Sequence, residues 1–519
     1  MGWQSLIISE FPYCSDYGNF TFMAKARVIG AGIAGIASAI RLAVKGYEVE
    51  VFEANDRPGG KLNEIEGEGF RFDAGPSLFT MPQYVDELFT LAGKNPRKYL
   101  KYEKLELVCK YFFQDGSCIN AWADEDKFAN EIQNKTSDSA LAVSRFLNKS
   151  AEIYRITHHI FLEKSLHRIS SYLNIQTISS ILKFLRIDPF RSMNDANNSF
   201  FKDSKTVRLF NRYATYNGSD PYQAPATLNV IPHLEHHFGA YFPAEGMYSI
   251  TTSLVKLAED LGVKFHYNMP VDEILEEGKE VTGIRVRQGI IPAQMVVSNM
   301  DIWFTYKRLL PNMMMPGRII KQERSSSALI FYWGITKVFN QLELHNIFFS
   351  ENYPEEFRHI WQEKDVYNDP TIYLNISSKL KPDDAPSGRE NWFVMVNVPS
   401  NAGQNWDEYI AEARRNIIKR LSDRLGQNIA ELICFERILD PRSIEVNTSS
   451  YQGSIYGSSS NNRFAAFVRH PNFSKIKGLF FAGGSVHPGG GIPLALLSAR
   501  IVDGMVAKVS SHSGSSVQQ

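Results

Sequence analysis

The amino-acid sequence predicts an α/β (α+β) fold of discontinuous domains, on three observations. A glycine-rich strand–turn–helix–strand unit lies near the start, a strand–glycine loop–helix unit lies near the end, and alternating strand text runs between them, around 262–299. With 519 residues, the chain is too long for one ordinary domain, since domains run to roughly 100–200 residues. Hydrophobic residues are 44% and charged residues 22%, which excludes wholesale disorder, a fibre and a polytopic membrane protein. Lys+Arg and Asp+Glu are 56 each, so no net charge recruits nucleic acid, and no nucleic-acid partner is expected. The 12% of aromatic residues suits a large apolar cavity, and ordinary core packing explains it equally well.

The opening unit sets the chemistry. Ala26 to Gly30 reads as a short buried strand, Gly30-Ala-Gly32-Ile33-Ala-Gly35 as a turn, Ile36 to Lys45 as a helix and Tyr47 to Phe52 as a second strand. Glu53 follows, 23 positions after Gly30. A G-x-G-x-x-G turn in this setting is a Rossmann-like dinucleotide fingerprint. Gly30 makes the tight turn, Gly32 admits a pyrophosphate, and Gly35 lets the helix pack on the strand. The helix start offers free N–H groups and partial positive charge to phosphates, Ile33 within the turn is counted among the cofactor contacts, and Glu53 can accept both ribose hydroxyls.

Two further stretches complete that reading. Gly262 to Tyr267, Pro270 to Ile274 and Val281 to Val286 read as strands, the last two separated by the charged turn Glu276–Lys279, and Val296 to Asn299 ends another. The acids at 272, 273, 276 and 277 are a solvated strand end and turn rather than a catalytic pair. Near the C-terminus, 478–499 is long and uncharged but carries six Gly and two Pro, so it reads as a ligand loop and helix rather than a membrane span. No transmembrane helix is expected. Four scattered cysteines without C-x-x-C spacing suit a reducing compartment, with no disulfide framework or zinc site. Residues 1–22 lack a signal-peptide pattern and are expected to be an extension outside the fold.

The run Pro58-Gly59-Gly60-Lys61-Leu62, followed by Phe70 to Leu78, resembles the signature of the two-dinucleotide-binding-domain flavoproteins, and hence of carotenoid desaturases and amine oxidases. The resemblance implies bound FAD, with Gly60, Lys61, Ser77 and Leu78 as cofactor contacts. It implies that Val271 offers its backbone to adenine and that Asn299 ends a strand close to the dinucleotide. Gly483-Gly484-Ser-Val-His-Pro-Gly-Gly-Gly491-Ile492-Pro493 is similar to the closing loop of bacterial-type carotenoid desaturases, which adds Gly484, Gly491 and Ile492. Many flavoproteins place Asp where Ser485 stands, a departure from the general pattern. The resemblance covers the chain from Met23 to about Val506. Ala39–Gly46, Phe52–Asn55, Pro58–Lys61 and Asp73–Phe79 look closest to the branch that acts on 1-hydroxycarotenoids at the 3,4 bond. Phytoene desaturases tend to have Arg at the Lys61 position and Thr-Val near Ser77-Leu78.

That resemblance implies an FAD-binding domain of 23–80, 241–300 and 471–510. Residues 81–240 and 301–470 would form the substrate domain, a mixed sheet with a helical membrane-facing cap, and 511–519 a disordered tail. The implied partners are a lipophilic carotenoid and a membrane surface, for a cytoplasmic, peripherally associated protein. Counting 145–191, eight Lys/Arg face three acids, with Ile175 to Leu185 strongly apolar, which suits an anionic bilayer interface. His233, His236 and His237 stand at helical spacing, where cavity-wall or structural roles outweigh a metal site, and no metal is expected. His233 and His237 are candidates to receive a substrate hydroxyl. No catalytic dyad is visible and no catalytic residue is assigned. Three rival readings stand beside this one: a phytoene desaturase of the same family, an amine oxidase, and a lipid-escort protein of the Rab GDP-dissociation-inhibitor kind, which shares the fold and performs no redox chemistry.

Overall fold

The computed structural model describes residues 24–159, 164–167, 183–462, 465 and 469–509. The extension 1–22, the apolar run from 175 to 182 and the tail 511–519 lie outside the described residues.

Five parallel strands form the central sheet, in the order Lys264–His266, Glu48–Phe52, Lys25–Ile29, Met295–Ser298, Leu479–Phe481. Ala26 and Val28 are fully buried and Ile29 nearly so, while Arg27 between them is buried as well and pairs with Glu48 and Glu50 of the neighbouring strand at 3.6 and 3.4 Å. On one side pack the helices Ile33–Val44, Tyr248–Asp260 and Ile492–Asp503, through Ile36, Ile40, Ile250, Leu254 and Leu497. On the other lies an antiparallel sheet of Val271–Glu277, Glu280–Val286 and Gly289–Pro292, contributing Ile274 and Ile284 against Ile29, Phe52 and Val296. Gly278 and Lys279 join its first two strands with φ of 58° and 66°, the geometry that matches strand twist in a two-residue hairpin.

The opening helix begins at Ile33, three residues before the expected Ile36. Gly32 is its extended N-cap, and the Ile36 N–H already donates to the Gly32 carbonyl at 3.0 Å, so the last part of the glycine motif is the first helical turn.

A second, seven-stranded sheet runs in the order Ile433–Leu439, Ser327–Ile335, Glu390–Val398, Ile372–Asn375, His345–Phe348, Leu107–Phe112, Cys118–Trp122. Neighbours are antiparallel except His345–Phe348 beside Leu107–Phe112. The two-residue period divides its long strands. Leu329, Phe331 and Trp333 pack with Ile417 and Leu421 of the helix Trp406–Leu425, whereas Ala328, Ile330 and Tyr332 turn to the opposite face with Phe72 and Phe393.

Above that face sits a helical cap that includes Glu125–Lys135, Ala140–Thr157, Met193–Phe200, Ser204–Asn211 and Ile231–His236. Asp124, Ser139, Ser192 and Asp203 cap the first four with side-chain oxygens, and Phe128, Phe146 and Phe210 share their core. Among the described residues, no helix is long and apolar enough to cross a membrane.

Glu356, in the short helix Tyr353–Arg358, is buried and accepts the Thr371 hydroxyl at 2.6 Å. Desolvation pushes its carboxyl up from 4.5 to about 7, against the smaller pull of that hydrogen bond. The folded state therefore binds this proton more tightly than the unfolded chain, so stability falls as pH rises from 4.5 through 7 and stays lower above. Glu356→Gln is expected to flatten that part of the pH dependence, measured by denaturant titrations at pH 5, 6, 7 and 8. An unchanged slope would exclude Glu356 as its source.

Candidate active site

A cavity of about 1030 Å³ runs from the carboxyl edge of the central sheet, across the face of the seven-stranded sheet, to the cap. Of the residues expected at a cofactor, Gly30, Gly32, Ile33, Glu53, Gly60, Lys61, Ser77, Leu78, Val271, Asn299, Gly484, Gly491 and Ile492 line it. Gly35 does not. It lies behind the turn, where a Cβ would overlap the Gly30 carbonyl oxygen, so its role is packing rather than ligand contact.

The edge is built around one side chain. The Asn299 N–H donates to the Ile29 carbonyl at 2.8 Å, and its Nδ2 donates to the Ala482 carbonyl at 2.8 Å. Its Oδ1 fills the space a side chain at 32 would need, since a Cβ on Gly32 would stand 2.5 Å away. Gly30 holds φ at +92° and its N–H donates to Phe52 O at 2.8 Å, which turns the chain into the helix. The helix start has no side-chain cap and no acid in its first turn, and Gly32, Ile33 and Ala34 border the cavity. Unpaired N–H groups there make an anion-accepting edge.

Glu53 is buried, and its carboxylate already has protein partners. Oε2 accepts the Ala31 N–H at 2.7 Å, while Oε1 accepts the Asn55 N–H and Nδ2, both at 2.9 Å. Glu53 thus ties the glycine turn to the end of the second strand, and a carboxylate has acceptor capacity beyond these three bonds. The Gly59 N–H donates to Ala31 O at 2.8 Å and brings the second glycine pair alongside the first. Lys61 turns toward 454–455, donating to the Ser454 and Ile455 carbonyls at 3.2 and 3.1 Å. Burial lowers its ammonium to about 8, opposed by nearby Asp301.

The closing loop meets this edge from the other side. Gly491, with φ of +100°, is the N-cap of Ile492–Asp503, again without a side-chain cap. Ser485, where many flavoproteins carry Asp, accepts the Ile302 N–H at 2.9 Å and is bound into the turn after Asn299.

Under the cap, the cavity is lined by apolar residues such as Leu228, Ile231, Leu234, Ile330 and Ile347, with polar groups the sequence reading did not single out. Arg212, Tyr216, Glu235, His345 and Tyr373 are chief among them. The available signal was a buried-type cation inside an aromatic run, Arg212-Tyr213-Ala-Thr-Tyr216, and a histidine inside strand text, Leu344-His345-Asn-Ile-Phe348. Neither has ligand spacing.

The three clustered histidines have other roles. His236 is buried and stacks on Phe128 at 4.7 Å, within reach of the Tyr213 hydroxyl. His233 and His237 stack on each other at 4.5 Å, packing against Phe238, and neither lines the cavity. The rings therefore divide between two environments, and His233 and His237 are not placed to meet a ligand in this cavity. Burial and the neighbouring His237 lower His233 to about 4. Among the described residues, no group of three or more His, Cys, Asp or Glu side chains is arranged to hold a metal ion.

Comparison with known proteins follows the same lines. Residues 33–502 match the family described as flavin containing amine oxidoreductase. A 1-hydroxycarotenoid 3,4-desaturase of Flavobacterium sp. (strain P99-3) is 48% identical, the match covering 94% of this chain and 100% of the relative. A 4,4'-diapolycopene oxygenase of Methylomonas sp is 34% identical, over 92% and 96%. Among solved structures, cyclohexylamine oxidase from Brevibacterium oxydans IH-35A superposes with a TM-score of 0.59 at 15% identity, covering 93% of this chain and 98% of that one, a likeness of fold alone.

Proposed function

Because the chain belongs to the flavin-containing amine oxidoreductase family, among its carotenoid desaturases, we propose that it dehydrogenates the 3,4 bond of an acyclic 1-hydroxycarotenoid. It is an FAD-dependent oxidoreductase. The observation that carries the reading is one continuous cavity, which passes from the glycine edge at Gly32 and Glu53 to an apolar region under the cap. An amine oxidase or an escort protein would leave that combination, together with 48% identity to a carotenoid desaturase, without explanation.

FAD fits the edge of the cavity by the chemistry of its donors. Gly30, Gly32, Ile33, Gly60, Gly484, Gly491 and Ile492 offer close backbone approach and two helix starts without side-chain caps, suited to a pyrophosphate. Glu53 and Val271 border one end, where a ribose and adenine would be read, and Lys61, Ser77, Leu78 and Asn299 border the stretch leading to the substrate region. When bound, FAD supplies the hydride acceptor for the dehydrogenation. The chain's own residues hold a long apolar molecule in one register and exclude water from it. Loss of hydride would leave positive charge spread along the conjugated system, and loss of a proton from the adjacent carbon would complete the double bond; the delocalised charge acidifies that C–H, so no strong acid–base dyad is required. The FAD-binding domain of 23–80, 241–300 and 471–510 accounts for the five central strands, and the segments 81–240 and 301–470 for the seven-stranded sheet.

The cap is the surface proposed to dock peripherally on a membrane. Leu185, next to the basic Arg186, is 77% exposed and Phe190 is 63% exposed, and although Arg186 pairs with Glu152 at 3.5 Å, these apolar side chains are the kind that insert at a bilayer interface.

Three measurements test these assignments. Glu53→Ala removes the acceptor of the Ala31 and Asn55 donors as well as the proposed ribose contact. An unsatisfied buried donor costs about 1–3 kcal/mol, so flavin retention is expected to weaken roughly tenfold or more, read as flavin absorbance per chain after dialysis. Wild-type retention would remove Glu53 from the binding set. In a competition in lipid, a 1-hydroxylated carotene should outcompete the unhydroxylated chain of equal length and give a product absorbing at longer wavelength. Faster turnover of colourless phytoene would instead assign the chain to phytoene desaturation. Flotation with anionic liposomes should recover the protein, in part even at high salt, because apolar insertion is less sensitive to screening than charge. Equal recovery without liposomes would count against docking.

A further inference from the structure

We propose that the buried polar cluster where Arg212, Glu235 and His345 meet the cavity is a subsite for the hydroxyl group of a lipophilic alcohol, and that it selects the substrate by that group. The proposal rests on the desaturase reading above and deepens it, naming the residues that recognise the hydroxylated end.

His345 opens the strand His345–Phe348 and is 3% exposed. Its Nδ1 lies 3.1 Å from Asn375 Nδ2 and 2.8 Å from the Tyr373 hydroxyl. The Asn375 amide also donates to the Leu344 carbonyl at 3.1 Å, which fixes its nitrogen on this side. An amide nitrogen only donates, so Nδ1 accepts and the ring hydrogen resides on Nε2. Burial and the nearby Arg212 lower His345 to about 3, so the ring is neutral. Nε2 has no acceptor among the described residues, and His345 borders the cavity.

Arg212 is 5% exposed and also borders the cavity. Its guanidinium lies 5.1, 4.8 and 4.9 Å from the ring centres of Tyr111, Tyr213 and Tyr216, and Nη1 donates to the Tyr216 hydroxyl at 2.9 Å. Its Nε has no acceptor among the described residues. Glu235, 1% exposed, accepts the Tyr216 hydroxyl at 2.6 Å and stands 3.8 Å from Arg212 Nη2. Two orphaned N–H donors and a carboxylate with spare lone pairs are what an alcohol needs, which accepts with its oxygen and donates its hydrogen. The Arg212 and Glu235 charges cancel and the imidazole is neutral, so the cluster suits a neutral ligand rather than an amine cation or a carboxylate. A buried donor without an acceptor is costly and is relieved when a ligand supplies one.

The location is also right for the reaction. The oxygen of a hydroxyl on C1 lies only three or four bonds, each about 1.5 Å, from the carbons of a 3,4 bond, so its holder must stand beside the cofactor. Ser77, one of the proposed cofactor contacts, is joined to His345 through Tyr373 by hydrogen bonds of 2.6 and 2.8 Å. An unhydroxylated chain end would leave the two N–H donors dry and unpaired, the arrangement by which a polar site rejects an analogue lacking the group.

The test uses the full-length, FAD-loaded enzyme in lipid vesicles, with 1-hydroxylated and unhydroxylated carotenes of equal length. The readout is the ratio of their kcat/KM values, with flavin per chain as the check on folding. His345→Phe keeps a ring and removes the donor, and should lower the ratio about tenfold, the order expected for losing one buried hydrogen bond. His345→Gln, which retains an N–H donor, should keep the ratio within about threefold of wild type. If His345→Phe fails to hold flavin, Arg212→Lys, which keeps the charge and drops the Nε donor, should lower the ratio in the same direction. A wild-type preference that persists in His345→Phe, or in Arg212→Lys where the former does not fold, overturns the subsite alone. A wild type with no preference for the hydroxylated chain overturns the substrate reading and the subsite together.

Discussion

The backbone contact around Asn299 is the constraint on which the rest of this structure depends. Its main chain bonds to the first strand at Ile29 and its side chain to Ala482 after the last, so one residue joins segments drawn from three distant parts of the sequence. A Cβ on Gly32 would stand 2.5 Å from its Oδ1, and one on Gly483 2.8 Å from its Nδ2. The glycines are therefore required first by the protein's own packing. Close approach by a ligand comes second, through the bare backbone that this packing leaves at the carboxyl edge of the sheet.

Two different solutions to burial then share one cavity. At the glycine edge, polar groups are backbone N–H donors at helix starts, with Glu53 already anchored by three hydrogen bonds. Under the cap, aromatic hydroxyls, an ion pair and a neutral histidine stand together against walls that include Leu228, Ile231 and Ile347. Burying a charge is tolerable only when it is paired and hydrogen-bonded, and Arg212 meets that condition through Glu235 and three tyrosine rings. The seven-stranded sheet serves both ends. One face packs Trp333 and Trp392 into its own core, while the other presents Ile330 and Phe393 to the cavity.

By itself, the sequence determined the parts whose physics is local. The turn at Gly30, the acid at Glu53, the second glycine pair at Gly59-Gly60 and the closing loop to Ile492 each carry their signal within a few residues, because tight turns and close backbone approach demand glycine at set offsets. The strands at 25–29, 48–52 and 295–298 lie within a residue of their expected positions between such turns, and the first helix starts three residues early because helical geometry reaches back into the glycine motif. Tertiary structure alone decided what these elements enclose. His345 and Arg212 are 133 positions apart and meet only because the seven-stranded sheet brings a strand beneath the cap. His233 and His237, candidates from the sequence to receive a substrate hydroxyl, stack instead on one another. Periodicity specifies which face of an element is apolar, but not which distant face it will meet. The pairing of buried donors with acceptors is settled only when the chain closes on itself.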